Sequence, residues 1–110
     1  SKVSTRELRK MQQLTHQVPV ADDLRDLAVD LVRDTRSADD LEYGASPRAS
    51  MSLVRAAKAR ALVEGRTHVG REDVTAMAVP VLRHRVVVDF RAEREGLTPD
   101  DAIRALVENR

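Results

Sequence analysis

The sequence predicts an all-α domain, a small helical bundle of five or six helices, with a minor two-stranded ribbon as its one extended element. Three observations lead there. Apolar residues recur at helical spacing, as in Leu24, Leu27, Ala28 and Leu31, which fill the i, i+3, i+4 and i+7 positions of one face. Helix-start signatures recur along the chain, at Ser4 with Glu7, Ser46 with Pro47 and Thr98 with Pro99. The 110 residues are 42% apolar but only 2% aromatic, so the core has to be built from Leu, Val and Ala. One domain of this length is enough to enclose it.

Taken in order, Ser4 is the expected N-cap of the first helix, with Glu7 as capping-box partner and Val3 and Leu8 as a hydrophobic staple. Leu8, Met11 and Leu14 carry an apolar stripe to about Gln17, and Val18-Pro19-Val20 ends it, because proline pushes the residue before it out of the α region. A second helix begins near Asp22, where Asp22 and Asp23 suit the positive end of its dipole, with Arg33 and Arg36 in its last turns. Residues 37–46 read as a polar connection. The third helix starts with Ser46 at the N-cap and Pro47 at the first helical position, and runs to about Glu64 with Gly65 just beyond its end. Its Leu53, Val54, Ala56, Ala57, Ala61 and Leu62 leave few polar faces, which makes it central. Residues 66–69 are short and extended. A fourth helix carries Glu72 and Asp73 in its first turn and Val74, Met77, Ala78 and Val81 at helical spacing, and Pro80 has to kink or split it. Val86-Val87-Val88 is a β-branched run that could pair with residues 67–69 as the ribbon. Thr98, Pro99 and Asp101 open a last helix with Ala102, Ile103, Leu106 and Val107 on one face.

Charge and composition narrow the function. With 19 basic and 18 acidic residues the net charge is +1, which argues against a dedicated nucleic-acid or membrane-surface binder. There is no cysteine, hence no disulfide or thiolate metal site, and no apolar run near the ~20 residues of a membrane span. The expected location is cytoplasmic, and the opening Ser1 points to a piece of a longer chain. The glycines, Gly44, Gly65, Gly70 and Gly96, form no phosphate-cradling loop. His16, His68 and His84 lack metal-ligand spacing, and His84, between Arg83 and Arg85, reads as a packing or hydrogen-bonding residue. Nothing groups a nucleophile with a base, so no catalytic residue is expected within the chain.

Arg48 stands out. As second residue of the third helix its charge adds to the positive end of the dipole, an unfavourable place unless an anion arrives at the free backbone N–H groups there. Arg55 follows seven residues on, on the same face, with Ser52 between them. The plain alternative is that Arg48 pairs with Asp39, Asp40 or Glu42. The residues alone also leave open a helix-turn-helix nucleic-acid module built on Arg55, Lys58, Arg60, Arg66, Arg71, Arg83 and Arg85, and a protein-interaction adaptor docking through residues 99–110.

The stretch Tyr43-Gly44-Ala45-Ser46-Pro47-Arg48-Ala49-Ser50 resembles the opening of the sensor-2 helix in MoxR-family AAA+ ATPases. The resemblance continues through Leu53–Ala59, Glu64-Gly65-Arg66, Glu72-Asp73-Val74 and Pro80–Arg85, and upstream through Gln17–Val20 and Leu31–Arg36. It departs at Ala21, where a capping side chain is usual, and at Gly70, where Thr or Ser is usual. What it implies is the helical lid of such an ATPase. Residues 1–17 would lead from an α/β ATPase core, residues 18–95 would form the lid bundle, and residues 96–110 would be a C-terminal helix packed on it. Arg48 would be sensor 2, reaching the γ-phosphate, with Gly44, Ser46 and Pro47 as its supporting motif and Arg55 as a further candidate. ATP and Mg2+ would belong to the parent protein's core, with none bound tightly here. Implied partners are that core, neighbouring subunits of a ring and a von Willebrand factor A-domain protein; the implied task is chaperone-like remodelling or maturation of client proteins.

Overall fold

The structure, a computed structural model, describes residues 4–110, the side chain of Met11 excepted. Among these residues the elements run α1 (Thr5–Gln17), α2 (Asp22–Ser37), β1 (Leu41–Tyr43), α3 (Ala49–Val63), α4 (Arg71–Leu82), β2 (Val87–Val88), α5 (Phe90–Arg94) and α6 (Pro99–Glu108). The all-α expectation with a small ribbon holds.

The core follows from four-residue spacing on the two central helices. Ala49, Leu53, Ala57 and Ala61 are fully buried along one ridge of α3, and Val74, Ala78 and Leu82 along one ridge of α4. Residues four apart stack on one face, and alanines at that face let two helices lie close together. α3 accordingly packs most extensively on α4. Leu27, Ala28, Leu31 and Val32 of α2 and Ala102 and Ile103 of α6 close the bundle around this pair. Each such Leu or Ile contributes about 1.5–3 kcal/mol by leaving water. α1 lies against α3, and its Leu8 and Leu14 stay exposed.

Helix ends explain most of the boundaries. Ser4 Oγ accepts the Glu7 N–H at 3.1 Å, while the Val3 arm of the staple and the place of Met11 on the stripe lie outside the described residues. α2 starts at Asp22 with no side-chain cap from Ala21, and only Arg36, not Arg33, falls in its last turn. α3 ends in a paired-bond motif at Gly65 (φ 77°), with the Gly65 N–H on the Leu62 carbonyl at 3.0 Å and the Arg66 N–H on that of Ala61 at 2.9 Å. In α6, Thr98 and Asp101 cap each other, Asp101 N–H to Thr98 Oγ1 at 3.2 Å and Thr98 N–H to Asp101 Oδ2 at 3.1 Å.

Four local expectations need correction. α3 begins at Ala49 rather than Ser46: residues 46–48 wind a tighter turn, with Ala49 N–H on the Ser46 carbonyl at 2.9 Å and Ser50 N–H on that of Pro47 at 3.2 Å. α4 runs through Pro80 without splitting, because Pro80 sits in the last turn, where a missing N–H removes a single bond. The ribbon joins β2 to β1, with Leu41 opposite Val88 and Tyr43 opposite Val87, not to residues 67–69. Leu41, buried between charged neighbours, turns the supposed plain connection into a strand, while the Val69 N–H donates to the Pro19 carbonyl at 3.2 Å. Finally, α5 is an extra short helix, capped by Asp89 Oδ1 on the Ala92 N–H at 2.7 Å and closed by Gly96 at φ 90°.

Candidate functional site

The arm that leads from β1 to Arg48 is fixed at three points. The Thr35 hydroxyl, fully buried in the last turns of α2, donates to the Val32 carbonyl at 2.5 Å and accepts the Ala45 N–H at 2.9 Å. Gly44 presses on the same turn so closely that a Cβ built there would lie 2.5 Å from the Thr35 carbonyl carbon and oxygen and the Arg36 nitrogen. Ala45 and Ala49, both buried, hold the two sides of the Ser46-Pro47-Arg48 turn against the core. The glycine of the motif thus has a packing reason, since an added side chain there meets backbone, and the two alanines are small residues buried against the core.

Arg48 projects from this turn. It is exposed, and among the described residues its side chain has no hydrogen-bond or ion-pair partner. The alternative of a bridge to Asp39, Asp40 or Glu42 is not what forms; Asp40 instead meets Arg91 at 3.3 Å. The tighter turn revises one part of the sequence argument. The N–H groups of Ala49, Ser50 and Met51 are bonded to carbonyls three residues back, so an anion here would meet the guanidinium rather than a row of free amides. Ser46 and Pro47 serve as carbonyl acceptors of that turn. Ser52, one turn beyond Arg48, is contacted by Arg85, whose Nη2 lies 3.4 Å from its hydroxyl. Sequence reasoning did not bring Arg85 to this face, because the approach crosses from the end of α4.

Arg55 points elsewhere. It lies at the edge of a groove of about 840 Å3 between α1, α2 and α3, which also takes in Met51, Val54 and Lys58. The structure does not make one site of Arg48 and Arg55.

At the other end of α3 from the arm, Asp73 is fully buried and holds α3 to α4. Its Oδ1 accepts from Arg60 Nη1 at 2.7 Å and from Arg66 Nη2, and its Oδ2 accepts the Gly70 N–H at 2.8 Å. Burial alone would raise its pKa, but the Gly70 N–H and the two arginines outweigh that and hold the carboxyl below its ordinary value. Asp73 therefore caps α4 from within, which makes good the missing side chain at Gly70.

Most of the central arginines are engaged inside the fold. Besides Arg60 and Arg66, Arg83 meets Asp100 at 3.1 Å and Arg71 donates to the Arg110 carbonyl at 2.5 Å. His84 is exposed between its arginines, not packed. Among the described residues no cluster of His, Cys, Asp and Glu could hold a metal ion, and no helix is long and apolar enough to cross a membrane.

Comparison with known proteins places this geometry. Residues 33–106 match the AAA lid domain family. The chain is 33% identical over 115 residues to the Mycobacterium tuberculosis protein named Chaperone MoxR1, covering 96% of this chain and 30% of that one. It is 43% identical over 70 residues to Protein MoxR of Methylorubrum extorquens, covering 62% of this chain and 20% of that one. A crystal structure from Cytophaga hutchinsonii, described as that of an ATPase, superposes with a TM-score of 0.89 at 29% identity, over 98% of this chain and 36% of that one. The chain thus spans 20 to 36% of the length of these three proteins. With a matched lid profile over two thirds of its residues, MoxR relatives and a superposing ATPase fold, the chain belongs to the AAA lid domains of the MoxR-type AAA+ ATPases.

Proposed function

We propose that this lid senses nucleotide through Arg48 and couples ATP binding and hydrolysis in a P-loop core to movement of the whole helical bundle. The observation that carries the reading is an exposed arginine, without a partner among the described residues, on an arm fixed to the core at Thr35, Gly44 and Ala45. A guanidinium so placed fits a phosphate oxygen: it is charged at every physiological pH, and its planar fork forms charge-assisted, directed bonds. ATP with Mg2+ in the core would supply the transferable phosphoryl group. Arg48 would bind and orient its terminal phosphate, and loss of that phosphate would release the lid. In this reading residues 1–17 lead from the core, residues 18–95 form the lid proper, and residues 96–110 brace it. Ring neighbours, a von Willebrand factor A-domain protein and a client under remodelling remain the expected partners, and the cytoplasm the expected place. The engagement of most central arginines inside the fold takes support from the nucleic-acid reading.

The test is ATP turnover in the full-length protein carrying Arg48→Ala or Arg48→Lys. Turnover should fall by at least about tenfold in the Ala variant without rescue by Lys, since a point charge cannot reproduce the fork. The melting temperature should stay within what about 0.5 kcal/mol allows, as Arg48 touches no buried group. Unchanged turnover would reduce Arg48 to a surface residue and leave the lid to act through packing alone.

A further inference from the structure

We infer that the groove between α1, α2 and α3 is a docking site for an acidic amphipathic helix of a partner protein. This inference does not depend on the nucleotide reading. The groove encloses about 840 Å3, and its floor is aliphatic: Leu8 of α1, Val29 of α2, and Met51 and Val54 of α3. Three of these are among the exposed large apolar residues, with Leu8 at 52%, Val29 at 39% and Met51 at 65%. They come from three different helices and converge on one hollow, which isolated surface apolar residues do not do.

The rim supplies the sign. His16, Arg25, Arg55 and Lys58 stand around the floor, and among the described residues no carboxylate lines it. Among the described residues Arg25, Arg55 and Lys58 have no ion-pair or hydrogen-bond partner. Elsewhere Arg60, Arg66, Arg83, Arg91, Arg104 and Arg110 have carboxylate partners, while Arg33, Arg36 and Arg48 share the lack of one among the described residues; what sets the three at the groove apart is that they surround an apolar floor. Three cations free of intramolecular partners around an apolar floor complement a ligand with a leucine-type stripe flanked by Asp or Glu. Among the described residues no Phe, Tyr or Trp lines the groove, and His16 on its rim is the one ring there, which is little for stacking successive bases of a nucleic-acid strand. All its walls are helices, and α1, with 13 residues, offers about 20 Å of length, room for an antiparallel or parallel helix of three to four turns.

The experiment is fluorescence anisotropy of the 110-residue chain with a labelled peptide of about 14 residues, bearing Leu at i, i+3, i+4 and i+7 and Glu at the flanking positions. Two comparison peptides replace Glu by Lys, or keep the composition and scatter the leucines. The Glu peptide should saturate, and both comparison peptides should bind at least about tenfold more weakly. In Arg55→Glu/Lys58→Glu the preference should reverse, the Lys peptide now binding better than the Glu peptide. Should that variant fail to melt cooperatively, Arg25→Glu on α2 carries the same test with the expected loss of Glu-peptide binding. Equal binding of the Glu and Lys peptides, or charge-reversed protein that still prefers Glu, overturns the proposal. So does a concentration-dependent dimer in sedimentation that the Glu peptide does not dissociate, because the groove would then hold a second copy.

Discussion

Asp73→Ala should lower the stability of this domain by about 3 kcal/mol, read as a fall of roughly 10–20 °C in melting temperature. Removing one member of a buried pair leaves the others without compensation, and here two guanidiniums and the Gly70 N–H lose their acceptor together. The figure sits at the lower end of the range for buried pairs because Arg60 and Arg66 remain 30% and 34% exposed and can recover some hydration. Asp73→Asn keeps the shape and separates charge from packing. The folded carboxyl has a pKa below its ordinary 3.8, so its ionic contribution is complete above that value and drains away as the pH falls through the folded pKa. Urea titrations should therefore show the wild type ahead of the Asn variant at neutral pH, with the gap closing below about pH 4. A gap that persists unchanged at pH 2 would mean that the charge on Asp73 does not hold α3 to α4.

The second large effect is expected at Gly44. In Gly44→Ala the added carbon would lie 2.5 Å from three backbone atoms of Thr35 and Arg36, none of which can rotate away. The arm or the end of α2 has to shift, which endangers the Thr35–Ala45 bond, and about 3 kcal/mol is the expected loss. Gly65→Ala is the useful contrast. Nothing lies within 4 Å of a Cβ there, and only its φ of 77° is unfavourable, so its cost should be about 1 kcal/mol. Chemical denaturation of both variants checks the order. If Gly44→Ala proved the milder of the two, close approach would not be the reason for glycine at that position.

Helices could be seen in the sequence wherever both their periodicity and their ends were written in local residues. α2, α4 and α6 begin where Asp22, Glu72 with Asp73, and Thr98 with Pro99 placed them. α5 was not visible because five residues show no period; its only local signs are Asp89 and Gly96. The ribbon partner was missed for a different reason. Pairing is a long-range choice, and Leu41, lying between Asp40 and Glu42, gives no strand pattern until its burial is known. Arg48, the residue on which the proposed function rests, drew attention in the sequence because a cation is unfavourable at the helix start expected from Ser46, although α3 itself begins at Ala49. Thr35, ten residues before its partner Ala45, and Asp73, one acidic residue among 18, carry no local mark of their roles. The groove was equally invisible, since α1, α2 and α3 each contribute only part of it.

The anchored arm has a consequence for binding entropy. Ordering a flexible loop on a ligand forfeits about 1–2 kcal/mol per residue, so an arginine on a loose segment would lose most of what a phosphate contact provides. Residues 43–48 give up that freedom when the domain folds, through the ribbon, the Thr35 hydroxyl and the seat of Gly44. Under the proposed function, a phosphate arriving at Arg48 would have only one side chain left to immobilise, about 2 kcal/mol at most.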